Sequence, residues 1–145
     1  MNIGWKMEKE MTAIDKFYIE DKVVIITGGA GLLGRKHAEA VIEGRGIPIL
    51  IDISDKALKE VMESLQHIYS EDRKMDGYIA DITKREEIEK VADQILNKYG
   101  HIDILINNAA NNPKVECKSE NMKAIQFENF PMQTWLDDLA VGLTG

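Results

Sequence analysis

Three glycines spaced three residues apart, Gly28, Gly31 and Gly34, are the residues of this chain best placed to do chemistry. They follow directly on an apolar, β-branched run (23–26) that predicts a strand covered on both faces, and they lead into a helical pattern that begins at Leu32. A helix N-terminus carries free N–H groups and a positive dipole, so it attracts anions. The spacing therefore predicts a strand–turn–helix that holds a pyrophosphate; a glycine-rich turn without a ligand is the alternative.

A carboxylate follows the second predicted strand, an apolar run over residues 47–51 that ends at Asp52. There a carboxylate can accept hydrogen bonds from both ribose hydroxyls of an adenosine, and it would repel a 2′-phosphate, so NAD is favoured over NADP. Asp52 could instead only cap the following helix, although Ser54 and Asp55 can do that. Arg35 is a mild counter-signal because a cation there could receive a phosphate; we interpret it as a helix-surface residue.

A second carboxylate, Asp81, ends the third predicted strand, which covers roughly residues 76–80, and Ile82 follows it. A hydrogen-bond acceptor beside an apolar residue suits the exocyclic amine and the flat ring of an adenine. We therefore expect this pair to border the base of a dinucleotide; by composition alone it is equally typical of an approach to a helix cap.

Four strand patterns alternate with four helical patterns along the chain. This alternation predicts an α/β, Rossmann-like three-layer fold: a partial parallel sheet of strand order 3-2-1-4 with helices on both faces. Thr83 and Glu86 predict a capping box for the third helix, and Pro48 predicts that the second strand either leaves one N–H position unpaired or begins later. We expect residues 1–15 to be an N-terminal extension, residues 16–145 to be the incomplete dinucleotide-binding domain, and residues 111–131 to be a surface connection before a helix over 132–144.

Composition excludes several classes of partner. The 145 residues carry a net charge of −7 and an isoelectric point near 5.0, which argues against nucleic acid and against an anionic membrane surface. Cys117 is the single cysteine, so no intrachain disulfide can form. No apolar run approaches a signal peptide or a membrane span, and we expect a cytoplasmic protein.

Taken together, the stretch Thr27 to Gly34, Asp52, Asp81-Ile82 and the run Asn107-Asn108-Ala109-Ala110 resemble the short-chain dehydrogenases/reductases in order and spacing. The resemblance covers roughly residues 16–145. It implies hydride transfer between a nicotinamide dinucleotide and an alcohol or carbonyl substrate. By this analogy Thr27, Asn107, Ala109 and Ala110 steady the central strands and line the nicotinamide ribose.

We assign the structural role to Asn107, and we predict no metal ligand and no catalytic residue within this chain. The predicted cofactor-binding residues are Thr27, Gly28, Gly31, Leu32, Leu33, Gly34, Asp52, Ile53, Asp81, Ile82, Asn108, Ala109 and Ala110.

The sequence departs from the family pattern in two places. The glycine spacing TGxxGxxG resembles the longer branch of nucleotide-sugar epimerases and dehydratases, whereas the NNAA run resembles the shorter branch of oligomeric reductases. In the last helix Gly142 stands where the family has a catalytic asparagine. These departures leave two alternatives open: an epimerase or dehydratase of the extended branch, and a nucleotide-binding module without catalysis.

The catalytic serine and Tyr-x-x-x-Lys pair of the family would follow Gly145, so we expect a truncated chain that does not catalyse alone. Tyr18 and Lys22 have the Tyr-x-x-x-Lys spacing, but they precede the first strand, at the opposite end of the sheet from the nicotinamide. An open sheet edge and the apolar fourth helix also predict a homo-oligomer or other self-association.

Overall fold

The computed structural model describes residues 17–69, 73–111 and 131–145. Strands and helices alternate along these residues, as the sequence pattern predicts. The elements in chain order are β1 (Val23–Thr27), α1 (Leu32–Glu43), β2 (Ile47–Asp52), α2 (Asp55–Tyr69), β3 (Asp76–Ile79), α3 (Arg85–Tyr99), β4 (Ile104–Ile106) and α4 (Met132–Leu139), which a π-helical turn (Ala140–Thr144) extends.

The strands form one parallel sheet of order β3-β2-β1-β4, which confirms the predicted order. β1 is buried along its whole length, because β2 and β4 flank it and helices cover both of its faces. In a parallel sheet all carboxyl ends meet at one edge, and a topological switch between β1 and β4 opens a crevice there. The polar residues that follow the strands are therefore brought to the same edge.

The sheet has a separate hydrophobic core on each face. Side chains along a strand alternate between faces, so β1 and β2 each contribute to both cores. One face packs against α1 and α2, and the other packs against α3, which confirms the three-layer arrangement. The buried residues of the first core are Val24, Ile26, Ala38, Val41, Ile42, Leu50, Leu58, Leu65 and Met75; those of the second are Val23, Ile25, Ile47, Ile49, Ile51, Ala80, Val91 and Ile95.

Pro48 lies inside β2, opposite Val24 of β1, and is fully buried. Backbone groups of successive residues in a strand face alternate neighbours. The Ile47 N–H donates to the Lys22 carbonyl on the β1 side, so the proline nitrogen faces the β3 side. Pairing with β3 begins only at Ile49, opposite Asp76. The missing donor therefore falls outside the ladder, and the strand keeps its full length.

The predicted capping box of α3 is wrong. The helix begins after Lys84, which makes no side-chain capping bond. Thr83 donates its N–H and its hydroxyl to Asp81 Oδ1 at 3.0 and 2.6 Å. Glu87, not Glu86, reaches back, and its Oε2 accepts the Asp81 N–H at 2.8 Å. The nearby carboxylate of Asp81 takes the Thr83 hydroxyl, and a local side-chain-to-backbone turn replaces the box.

The last helix is regular only up to Leu139, and the predicted helical stretch continues as the π-helical turn. Gly142 lies in this turn, and glycine is a poor helix former. The predicted extension (1–15) and most of the predicted connection, with Cys117, lie outside the described residues. Within the described residues no helix is both long enough and apolar enough to cross a membrane.

Candidate functional site

The turn after β1 leaves no room for a Cβ at Gly28, Gly29 or Gly34. Gly28 has a φ of +62°, in the left-handed region, and its carbonyl accepts the Gly31 N–H at 3.1 Å. A Cβ on Gly34 would lie 2.2 Å from the Gly28 oxygen and 2.8 Å from the Gly29 Cα. The first turn of α1 therefore packs directly on the glycine-rich turn, and no side chain could fit between them.

Within the described part of the chain, no side chain caps the N-terminus of α1. Gly31 is its N-cap residue, and no acidic residue lies in the first turn. By contrast, α2 and α3 both carry acidic residues in their first turns. Leu32 and Leu33, at the start of α1, are 83% and 64% exposed. The partial positive charge of this helix end is therefore available to an anion.

Asp52 ties the end of β2 to the glycine-rich turn. Its Oδ2 accepts the Ala30 N–H and its Oδ1 accepts the Ser54 N–H, both at 3.0 Å. Ser54 caps α2, since its hydroxyl accepts the Ala57 N–H at 3.3 Å. The capping role considered as the alternative for Asp52 is thus filled by Ser54, and the carboxylate of Asp52 is held at the mouth of the site.

Thr27 and Asn108 join β1 to the segment after β4. The Thr27 hydroxyl accepts the N–H groups of Asn108 and Ala109 at 3.0 and 3.1 Å and donates to the Ile106 carbonyl at 3.4 Å. Asn108 Nδ2 donates to the carbonyls of Thr27 and Gly28 at 2.9 and 3.1 Å. These bonds hold the segment after β4 against the glycine-rich turn.

The side chain that steadies the strands in the structure is that of Asn108, and the structural role of Asn107 stays a prediction. Asn107 is exposed and, with Leu105, lines a second cleft of about 530 Å³ beside α3. Both asparagines follow the end of β4 at Ile106, and the bonds of Asn108 to Thr27 and Gly28 turn its side chain toward the glycine-rich turn.

A cleft of about 510 Å³ lies at the carboxyl edge of the sheet. It brings together seven of the predicted residues: Gly28, Asp52, Ile53, Asp81, Ile82, Ala109 and Ala110. Leu32 and Leu33 lie at the start of α1. Thr27, Gly34 and Asn108 contact the glycine-rich turn through the hydrogen bonds and the close packing described above.

The same cleft has residues that the sequence reasoning missed. Thr83 lines it, as do Asp137, Ala140 and Val141 from the last helix and its π-helical turn. The spacing of these last three residues, i, i+3 and i+4, places them on one helix face. That signal is visible in the sequence, but only the packing of the helix shows which face meets the cleft.

Asp81 is an acceptor at the cleft. The hydroxyl of Thr83, followed by its N–H and the nearby Lys84 ammonium, holds the pKa of this carboxyl below its usual value. The group is therefore ionised at neutral pH and accepts hydrogen bonds.

Arg35, the cation that could receive a phosphate, forms an ion pair on the surface of α1. Arg35 Nε contacts Glu39 Oε1 at 3.1 Å, and Lys36 Nζ contacts Glu39 Oε2 at 2.5 Å. The Lys36 contact, with a smaller effect from Arg35, lowers the pKa of Glu39. This agrees with the interpretation of Arg35 as a helix-surface residue.

The Tyr-x-x-x-Lys spacing at residues 18–22 lies at the amino edge of the sheet, away from the cleft. Lys22 precedes β1 and forms an ion pair with Asp103 at 2.8 Å, while the Tyr18 ring packs against the Arg45 guanidinium at 4.6 Å. Within ranges 17–69, 73–111 and 131–145, no three histidine, cysteine or acidic side chains cluster closely enough to bind a metal.

The sequence model of the family described as short chain dehydrogenase matches residues 22–145. The chain belongs to this family. The CLA biosynthesis dehydrogenase/reductase of Lactiplantibacillus plantarum is 37% identical over 91 residues, which are 62% of this chain and 30% of that protein. The matched part of this chain therefore spans less than a third of the length of that relative.

Solved structures share the fold of this chain. The crystal structure of an NAD⁺-bound xylitol dehydrogenase superposes with a TM-score of 0.71 at 23% identity, covering 89% of this chain and 44% of that one. An NADPH-dependent 3-quinuclidinone reductase from Rhodotorula rubra gives 0.72 at 23% identity, covering 99% and 50%. The first of these structures holds NAD⁺, whereas the second enzyme depends on NADPH.

Proposed function

We propose that this chain is the dinucleotide-binding part of a short-chain oxidoreductase that transfers hydride between NAD(H) and an alcohol or carbonyl substrate. One observation carries the proposal: the cleft at the carboxyl edge of the sheet joins the glycine-rich turn, the carboxylate of Asp52 and the Asp81-Ile82 pair. A dinucleotide needs an anion site flanked by acceptors for a ribose and a base, and these groups occur here in that order.

The start of α1 fits a pyrophosphate. No side chain of the described residues caps this helix end, and Gly28, Gly31 and Gly34 beside it carry no side chain of their own. In the proposed complex, N–H groups of the first helical turn donate to phosphate oxygens, and the helix dipole favours their negative charge.

The carboxylate of Asp52 fits a ribose diol. An ionised carboxylate offers about four lone-pair positions, and the two backbone N–H groups of Ala30 and Ser54 occupy one on each oxygen. The remaining positions can accept the 2′- and 3′-hydroxyls. A 2′-phosphate would instead place negative charge against the carboxylate, which is why we propose NAD as the cofactor and not NADP.

At the other end of the cleft we assign Asn108, Ala109 and Ala110 to the nicotinamide half. The bonds to Thr27 hold this backbone against the glycine-rich turn, so a bound ring would be kept in one orientation. The bound nicotinamide supplies the hydride chemistry, and these residues orient it and shield one side of it from water. The substrate class, an alcohol or carbonyl, follows from the family.

Titration with NADH and NADPH, followed by cofactor fluorescence, tests the proposal. The chain should bind NADH saturably and more tightly than NADPH. Asp52→Ala should weaken NADH binding by about tenfold, as expected for loss of charge-assisted hydrogen bonds to the ribose, with a smaller loss for NADPH.

Asp55→Ala is the matched control, because Asp55 is an exposed first-turn carboxylate of α2 paired with Lys59. It should leave both affinities unchanged. The absence of saturable binding up to millimolar NADH would refute the proposed function. Equal losses for the two cofactors in Asp52→Ala would contradict the ribose role.

The spacing of Gly28, Gly31 and Gly34 favours a second candidate, a nucleotide-sugar epimerase or dehydratase of the extended branch, which would also use the dinucleotide site. Under this candidate a nucleotide sugar should bind the NADH-loaded chain. Isothermal titration with UDP-glucose and, separately, with a simple secondary alcohol distinguishes the two substrate classes.

A further inference from the structure

The turn after β3 is held by bonds to nearly every polar group of Asp81. Its carbonyl accepts the Lys84 N–H at 2.9 Å, and its Oδ1 accepts both donors of Thr83. Its own N–H lies beyond the end of β3. The preceding residue, Ala80, donates to the Asp52 carbonyl of β2, so the next N–H faces the opposite side, where the ladder supplies no partner.

Glu87 supplies that partner from the first turn of α3. Its Oε2 accepts the Asp81 N–H at 2.8 Å, and its Oε1 lies 3.2 Å from Lys84 Nζ, which is itself 3.6 Å from Asp81 Oδ2. Lys84 is 62% exposed, and ion pairs this exposed contribute little. The bond to the Asp81 N–H is thus the important one, and Glu87 is not among the residues that line the cleft.

We propose that Glu87 is a positioning residue that sets the carboxylate of Asp81 for the exocyclic amine of the adenine. The inference rests on the proposed function, because it presumes a dinucleotide whose base lies at Asp81 and Ile82. Glu87 acts through the backbone of Asp81: with its N–H held, the turn from residue 81 to residue 84 keeps one conformation, and the carboxylate remains at the cleft.

Three variants of Glu87 separate its possible roles. Glu87→Ala removes the acceptor and the charge. Glu87→Asp keeps the charge but is one methylene shorter, so it cannot span to the Asp81 N–H. Glu87→Gln loses the charge but keeps an oxygen that can accept. Glu86→Ala is the matched control, since Glu86 lies in the same first turn and contributes equally to the helix dipole.

The probes are NADH and reduced nicotinamide hypoxanthine dinucleotide, whose base has a carbonyl oxygen in place of the amine. The wild-type chain should prefer NADH. Glu87→Ala and Glu87→Asp should each bind NADH about fivefold more weakly, the equivalent of one ordinary hydrogen bond, with little change for the hypoxanthine analogue. The preference for adenine therefore shrinks, which a loss of overall fold would not produce.

Glu87→Gln and Glu86→Ala should keep the wild-type preference. Equal losses of affinity for both dinucleotides in the Glu87 variants, or the same loss of NADH affinity in Glu86→Ala, would overturn the inference. If Glu87→Ala does not fold, the comparison of Glu87→Asp with Glu87→Gln still tests it. Unchanged NADH binding by Glu87→Asp would overturn only the inference about Glu87 and would leave the proposed function standing. Failure of the wild-type chain to bind NADH would overturn both.

Discussion

Replacing Gly34 by alanine tests how tightly α1 packs on the glycine-rich turn. The added Cβ would lie 2.2 Å from the Gly28 carbonyl oxygen, far inside van der Waals contact. That oxygen cannot move away freely, because it accepts hydrogen bonds from the Gly31 N–H and from Asn108 Nδ2, both at 3.1 Å. The clash is therefore with fixed backbone and cannot be relieved by rotating a side chain.

Two effects oppose each other in Gly34→Ala. Alanine favours a helix over glycine by at most about 1 kcal/mol. Overpacking costs about 1–3 kcal/mol, and displacing the Gly28 carbonyl would weaken two hydrogen bonds worth about 1 kcal/mol each. The net expectation is a loss of about 2 kcal/mol in the free energy of unfolding, which for a chain of this size lowers the Tm by about 4–8 °C.

Urea denaturation followed by circular dichroism measures this loss, and an NADH titration of the folded variant measures the effect on the site. Gly142→Ala is the control, because a Cβ there meets no atom of the described residues within 4 Å; it should be neutral or slightly stabilising. Wild-type stability together with wild-type NADH affinity in Gly34→Ala would refute the argument that the turn and the helix are in direct contact.

Two further predictions concern other parts of the sheet. The pKa of Asp103 is lowered mainly by the Lys22 ammonium and to a smaller extent by the Val23 N–H. This carboxylate therefore stabilises the fold above its unfolded pKa of about 4, and the contribution is lost as the pH falls through the lower folded pKa. Asp103→Asn should remove that part of the acid dependence of stability, and identical urea midpoints from pH 2 to 7 in both proteins would contradict the prediction. Leu105 is 56% exposed on the edge strand β4, and we expect the chain to self-associate there. Leu105→Glu should lower the mass measured by light scattering, whereas Ile68→Glu, at an equally exposed position on α2, should not; a monodisperse wild-type monomer would refute the expectation.

Much of the fold could be predicted because its signals are local. A β-branched run between helical patterns specifies buried parallel strands, and the glycine spacing marks the turn where strand and helix meet. The order β3-β2-β1-β4 is the one expected for the first half of a dinucleotide-binding fold, and right-handed connections place helices on both faces of the sheet. Chain order also correctly predicted that Asp52 and Asp81 would lie at the carboxyl edge of the sheet, and the family resemblance pointed to Ala109 beside them.

Choices between neighbouring residues could not be predicted in this way. Glu86 and Glu87 both suit the first turn of a helix, and Asn107 and Asn108 have identical side chains. Which glutamate reaches the Asp81 N–H depends on how the turn after β3 closes, and which asparagine faces the glycine-rich turn depends on where β4 ends. In both cases the direction in which the side chain points depends on the backbone, and a shift of one residue reverses that direction.

The sequence by itself determined the element order, the parallel sheet and the set of polar residues at its carboxyl edge, because hydrophobic period and glycine position act over a few residues. Only the tertiary structure decided which of these groups are tied to one another: Asp52 to the Ala30 N–H, Asn108 to the Gly28 carbonyl, and the last helix to the far wall of the cleft. Such contacts join residues distant in sequence, and their hydrogen-bond geometry exists only once the strands are in register.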